Sequence, residues 1–229
     1  MTDKATITAI ALNCSLKSSS GEPSSTDKMI GVIGHELRRH GVNLAGTIRI
    51  ADHDVKPGVE SNMGEGDAWP ELRRRILDAD ILIFGGPIWL GQPSSIAKRV
   101  LERMDAFLGE TDERSRMPSF GKVAVAAIVG NEDGAHRVTA DLFQALNDVG
   151  WTIPAGGACY WVGEVMGKTD FKDLPEVPEK VQHTAAMLAS NAAHLARLLQ
   201  GNGYPGVESR CTLPHLRAER RAATTHLLM

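Results

Sequence analysis

Cysteine is scarce in this chain. There are three residues, Cys14, Cys159 and Cys211, far apart and with no CxxC pair. That count argues against a disulfide scaffold and a cysteine-rich zinc site, and the four thiolates of an iron–sulfur cluster are not available. Aromatic residues are few, at 5%. Charge of one sign is not in excess either, since 25 Lys and Arg stand against 28 Asp and Glu for a net charge of −3. A nucleic-acid surface would need a basic excess. No apolar run approaches about 18 residues, so no membrane span is expected. The short apolar stretch ATITAIALN near the start lacks the long h-region of a signal peptide and reads as a strand. Together these features point to the reducing cytoplasm.

What is present is an ordinary globular composition, 42% hydrophobic and 23% charged over 229 residues. A chain of this length can bury a core without staples. Its dominant signal is alternation. Strand patterns are expected at Ala5–Asn13, Asn43–Ala51, Asp80–Gly85, Lys122–Val129 and, more weakly, Thr152–Trp161. Between and after them, helical spacing places apolar residues on one face of Ser25–His40, Trp69–Asp78, Pro93–Gly109, Ala135–Val149 and a long stretch around Val181–Leu199. Regular βα alternation predicts a doubly wound parallel sheet of five strands with helices on both faces. Ligands of such sheets bind beyond the carboxyl ends of the strands. Residues 1–200 are expected to form this unit. The stretch 201–229, with four Arg against two Glu, reads as a disordered tail or a dimer arm. Asp52–Asp67 reads as a long irregular loop.

Three loops at strand ends carry the chemistry. The first, Asn13–Thr26 (NCSLKSSSGEPSST), holds six serines, Thr26 and Lys17. Hydroxyls, backbone N–H groups and a helix start suit a phosphate. No carboxylate lies between Asn13 and Gly21, and neither a GxGxxG nor a GxxxxGK[ST] pattern is present. A serine-rich helix cap is the other reading. The second loop, Gly85–Ser95 (GGPIWLGQPSS), is rigidified by Gly and Pro and expected to carry Trp89 at its apex, as a wall for a planar ring or as a core residue. The third, Gly130–His136 (GNEDGAH), caps a helix or meets the polar edge of a ligand, with His136 a candidate on the substrate side. Tyr160 and Trp161 are candidates to roof the same pocket.

Lys56–Phe107, with its PIWLGQPSS segment matching P-x-[YW]-x-x-x-P, together with the Ser-rich loop and VGNEDGAH, resembles the NADPH-dependent FMN reductase family over about residues 5–200. The resemblance implies a flavodoxin-like sheet in the order 2-1-3-4-5 and one FMN per subunit, with NAD(P)H as co-substrate. By position, Ser15, Lys17, Ser24, Ser25 and Thr26 would hold the phosphate. Pro87, Ile88, Trp89, Leu90 and Gly91 would lie against the isoalloxazine, and Gly130, Asn131, Asp133 and Gly134 would meet its other polar edge. Many members carry an Arg in the first loop; here Lys17 is the nearest cation, a point charge and not a bidentate fork.

The activity implied is hydride transfer from NAD(P)H through flavin to a quinone-like or other small acceptor. Backbone N–H groups of Ile88–Gly91 would stabilise the charge on the reduced ring. A homodimer or homotetramer is implied, with no metal. A flavodoxin-type electron carrier is the alternative, but such carriers are short and strongly acidic. A receiver domain would need an acidic pair after the first strand, where this chain has Asn13 and Cys14.

Overall fold

The computed structural model describes residues 6–207. Most of the expected tail, residues 208–229 with Cys211, lies outside the described residues. Three strands at the centre have continuous apolar runs: β1 (Thr8–Asn13), apolar from Ala9 to Leu12, β3 (Ile81–Trp89) and β5 (Val123–Gly130). Continuous apolar runs of this kind need cover on both faces, as parallel sheets provide. The strands β2 (Asn43–Arg49) and β6 (Ala158–Val162) form the edges. All five pair in parallel in the order β2-β1-β3-β5-β6. The two-residue β4 (Gln92–Pro93) only folds back on the end of β3. With β4 set aside, the architecture is the expected 2-1-3-4-5.

Helices α1 (Ser25–Arg39) and α5 (Glu179–Gly201) cover one face. The other face is covered by α2 (Trp69–Leu77), α3 (Ser95–Met104) and α4 (Ala135–Asp148). Helix α1 comes close to the sheet where its first turn crosses Gly85: a Cβ there would stand 2.9 Å from Thr26 and from the Leu12 carbonyl. Each core layer holds one buried thiol, Cys14 on the α2–α4 side and Cys159 on the α1–α5 side. Burial raises both pKa values, that of Cys159 to about 12.

Three expected boundaries move. The strand expected at Asp80–Gly85 runs on to Trp89, because pairing with β5 continues through Gly86 and Pro87. The helix expected from Pro93 starts at Ser95, where the Ser94 hydroxyl caps it by accepting from Ala97 N–H at 3.1 Å. The last strand begins at Ala158, and Thr152 makes only an isolated bridge to Val123.

The long loop after β2 is irregular but tightly held. Arg103 of α3 and Asp67 are fully buried at the side chain and paired at 2.8 Å. The guanidinium also donates to the carbonyls of Lys56 and Glu60. Asp67 accepts from the backbone N–H groups of Lys56, Met63 and Trp69. Burial alone would raise the Asp67 pKa, but the Arg103 bond and the three backbone donors hold it well below the usual carboxylate range. Its folded value lies below its unfolded value of about 3.9. The stabilisation is therefore present above about pH 4 and lost as pH falls further. In urea unfolding, Arg103→Leu should lose about 3–5 kcal/mol at neutral pH by leaving Asp67 buried and unpaired. In Asp67→Asn, the acid-dependent fall in stability below pH 4 should be shallower than in the wild type.

Candidate functional site

The register across the carboxyl edge of the sheet sets the site. Asn13, the last residue of β1, pairs with Arg49 on one side and Gly85 on the other. Asn13 is buried. Its Oδ1 accepts from Ser15 N–H at 2.9 Å, and its Nδ2 donates to Ser24 Oγ at 3.0 Å and to Asp27 at 2.5 Å. One amide thus ties down both ends of the first loop. Ser24 caps α1 in a reciprocal capping box with Asp27. Arg49, whose side chain is 10% exposed, pairs with Asp27 and donates to Ser15 Oγ at 3.3 Å and to the Lys17 carbonyl at 3.1 Å. The arginine that the first loop lacks thus stands beside it at the end of β2, with its charge balanced by Asp27. A charged residue closing a strand between Ile48 and Ile50 was the available signal. A carboxylate also reaches the loop from outside it, since Ser19 N–H donates to Asp52 at 2.8 Å. Hydrogen bonds from Ser19 hold the Asp52 carboxyl below its ordinary range.

The β3–β4 hairpin forms the second wall. Its turn residues Leu90 and Gly91 have φ of +51° and +70°, the left-handed pair of a two-residue hairpin turn. The apex is therefore Leu90–Gly91, and Trp89 is the last residue of the strand. Trp89 is 54% exposed and is not a core residue. Leu90 is 90% exposed, and its N–H donates to Glu132 at 2.6 Å. The β5–α4 loop lies against the turn: a Cβ on Gly134 would sit 2.6 Å from the Gly91 Cα.

A cavity of about 620 Å³ opens at this edge. Ser15, Lys17, Ser24, Ser25 and Thr26 line it from the first loop; Pro87, Ile88, Trp89 and Leu90 from the hairpin; Gly130 and Asn131 from the end of β5. Three expected residues do not line it. Gly91 and Gly134 meet each other, and Asp133 points outward while its neighbour Glu132 takes the cavity position. His136 is not at the cavity either. It bonds Tyr160 at 2.9 Å. Trp161 does line the cavity and Tyr160 does not, because adjacent strand residues face opposite ways.

The segment after β6 was missed by sequence reasoning, although the strand-end rule that located the other loops applies to it equally. It contributes Met166, Asp170, Phe171 and Lys172. Phe171 packs on Trp161 with ring centroids 5.4 Å apart. Lys172 N–H donates to Ser25 Oγ, and Asn131 Nδ2 donates to Asp170, at 3.1 and 3.0 Å. Hydroxyls and Lys17 thus gather at the first loop, the Lys172 ammonium is paired with Asp173 at 2.8 Å, and acceptors lie at Asn131 and Glu132. Ile88, Trp89, Trp161 and Phe171 supply apolar surface. A second cavity of about 540 Å³ lies beside the amino end of β5, lined by Asp112, Arg116, Phe120 and Tyr204; its Arg116 is engaged by Asp112 at 2.7 Å.

Fold and cavity define a flavodoxin-like α/β protein with an open cavity at the carboxyl edge of its sheet. Residues 7–164 match the NADPH-dependent FMN reductase family, and the chain belongs to it. Over 208 residues it is 30% identical to 8-demethyl-8-aminoriboflavin-5'-phosphate synthase of Streptomyces davaonensis, covering 86% of this chain and 79% of that protein. It is 36% identical over 200 residues to a Mycobacterium bovis protein named divalent metal cation transporter MntH, spanning 84% of this chain but 29% of that relative's length. Among the described residues no helix is long and apolar enough to cross a membrane, and no cluster of His, Cys, Asp or Glu could hold a metal ion. The solved structure of RosB with bound 8-demethyl-8-formylriboflavin-5'-phosphate superposes with a TM-score of 0.74 at 26% identity, covering 96% of this chain and 87% of that one. An archaeal flavodoxin gives 0.52 at 12%, covering 83% and 99%.

The Leu90 turn yields a stability test. Non-glycine residues in the left-handed region carry a strain of about 1–2 kcal/mol, and asparagine tolerates it best. Leu90→Asn, which loses little packing at so exposed a position, should raise stability by about 1 kcal/mol in denaturant titration.

Proposed function

We propose that the protein binds FMN in the 620 Å³ cavity and moves a hydride from NAD(P)H through the flavin to a small, quinone-like acceptor. The observation that carries this reading is the division of the cavity walls. Hydroxyls of Ser15, Ser25 and Thr26, with Lys17, suit a phosphate, and Trp89, Trp161 and Phe171 suit a planar ring; the Lys172 ammonium is engaged by Asp173 at 2.8 Å. Lys17 is exposed and makes no ion pair with any described residue, so its charge is open to a dianion. Arg49 is a positioning residue: it holds the Ser15–Lys17 backbone while its own charge is balanced by Asp27. Ser24 is engaged in capping and contributes shape more than a donor. When bound, the flavin supplies the redox chemistry; this chain binds it, orients it and leaves a partly apolar mouth at Trp89 and Leu90 for a second ring.

A second reading is favoured by the relatives. The resemblance to an aminoriboflavin phosphate synthase extends over 208 residues, past residue 164 where the family match stops. On this reading the flavin phosphate is the substrate and leaves altered.

Purified protein should quench flavin fluorescence on titration with FMN. Lys17→Ala and Arg49→Ala should weaken FMN binding about tenfold while leaving riboflavin binding near the wild-type value. Equal losses for the two ligands would move the phosphate elsewhere. With NADPH and menadione, turnover that leaves the mass of FMN unchanged supports the reductase. Conversion of FMN to a new flavin supports the second reading. FMN binding without NAD(P)H oxidation would leave an electron carrier. The apolar mouth, with Leu16, Val165 and Met166 also exposed, fits a homodimer or homotetramer, and sedimentation should give a mass above that of one chain.

A further inference from the structure

The β3–β4 turn presents one backbone amide at the cavity, and a carboxylate holds it. Leu90 N–H donates to Glu132 Oε1 at 2.6 Å, and both residues line the cavity. The amide's direction is set by the left-handed turn at Leu90. The separation of the two loops is set by the contact of Gly134 with the Gly91 backbone. The carboxylate and the amide are thus placed by two independent backbone constraints, at the position where sequence reasoning expected open N–H groups for the charge of a reduced ring.

The role of this contact rests on FMN binding in the cavity, as proposed above. A hydride from NAD(P)H delivers two electrons and one proton together, so one negative charge remains on the ring until a second proton is taken up. An open amide would stabilise that charge. A carboxylate bonded to the amide withdraws the donor and adds a like charge, which disfavours the anion. We propose that Glu132 sets the reduction potential of the bound flavin, holding the reduced ring less tightly than the oxidised one so that electrons pass onward to the acceptor. Glu132 is on this account a tuning residue for the electron transfer, acting through charge and through its hold on Leu90.

Two variants separate charge from architecture. Glu132→Gln keeps an oxygen for the Leu90 amide and removes the charge; Glu132→Ala frees the amide as well. The dissociation constants of oxidised and dithionite-reduced FMN and the midpoint potential are measured for each. Glu132→Gln should tighten reduced FMN about tenfold relative to oxidised FMN, a rise of about 30 mV for a two-electron couple, and Glu132→Ala should raise it further. If Glu132→Gln leaves the potential unchanged and Glu132→Ala loosens both redox forms equally, Glu132 only pins the hairpin and the proposal fails while the FMN reading stands. A wild type that binds no FMN overturns both.

Discussion

The site depends on one buried amide. Asn13 sits where β1 ends, in the middle of the sheet's carboxyl edge, and its hydrogen bonds reach Ser15, Ser24 and Asp27. Without it the first loop would be a mobile serine-rich connection. With it, both loop ends share a single anchor, α1 begins at a defined point, and Asp27 is placed to take Arg49. Buried polar groups of this kind must be satisfied or they destabilise. The network therefore orders the loop before any ligand arrives.

From that anchor the remaining walls follow from backbone geometry. The β3–β5 ladder carries β3 past two glycines and a proline into a hairpin. The hairpin turn then meets the β5–α4 loop through Gly91 and Gly134, at a distance only glycine permits. The segment after β6 closes the remaining side, fastened to α1 by Lys172 N–H on Ser25 and by Lys28 Nζ, which donates to the Leu174 carbonyl at 2.7 Å. Four strand ends thus contribute to one cavity, as open parallel sheets favour.

Much of this was legible in the sequence. Apolar runs and helical spacing located all five main strands and the five helices, because burial on both faces leaves a periodicity that local propensity does not obscure. Eleven of the fourteen binding residues expected from the loops and the family resemblance line the cavity. The exceptions have a common cause. Asp133, Gly91 and Gly134 lie in turns whose side-chain directions depend on left-handed backbone angles, which periodicity does not report. Arg49, Phe171 and Lys172 come from places remote in sequence, brought in by register and by the β6–α5 connection. His136 followed from nearness to a motif and not from a direction in space.

The two buried cysteines have a practical consequence. Cys14 and Cys159 belong to different core layers, each shielded from solvent and each with a thiol held in its unreactive protonated form. Thiolates, not thiols, react with disulfide reagents, so labelling of either side chain must wait for its own layer to open. In a Cys211→Ser background, the two labelling rates are separate clocks for the two faces of the sheet. A ligand that clamps the α1 side would slow one clock and leave the other running.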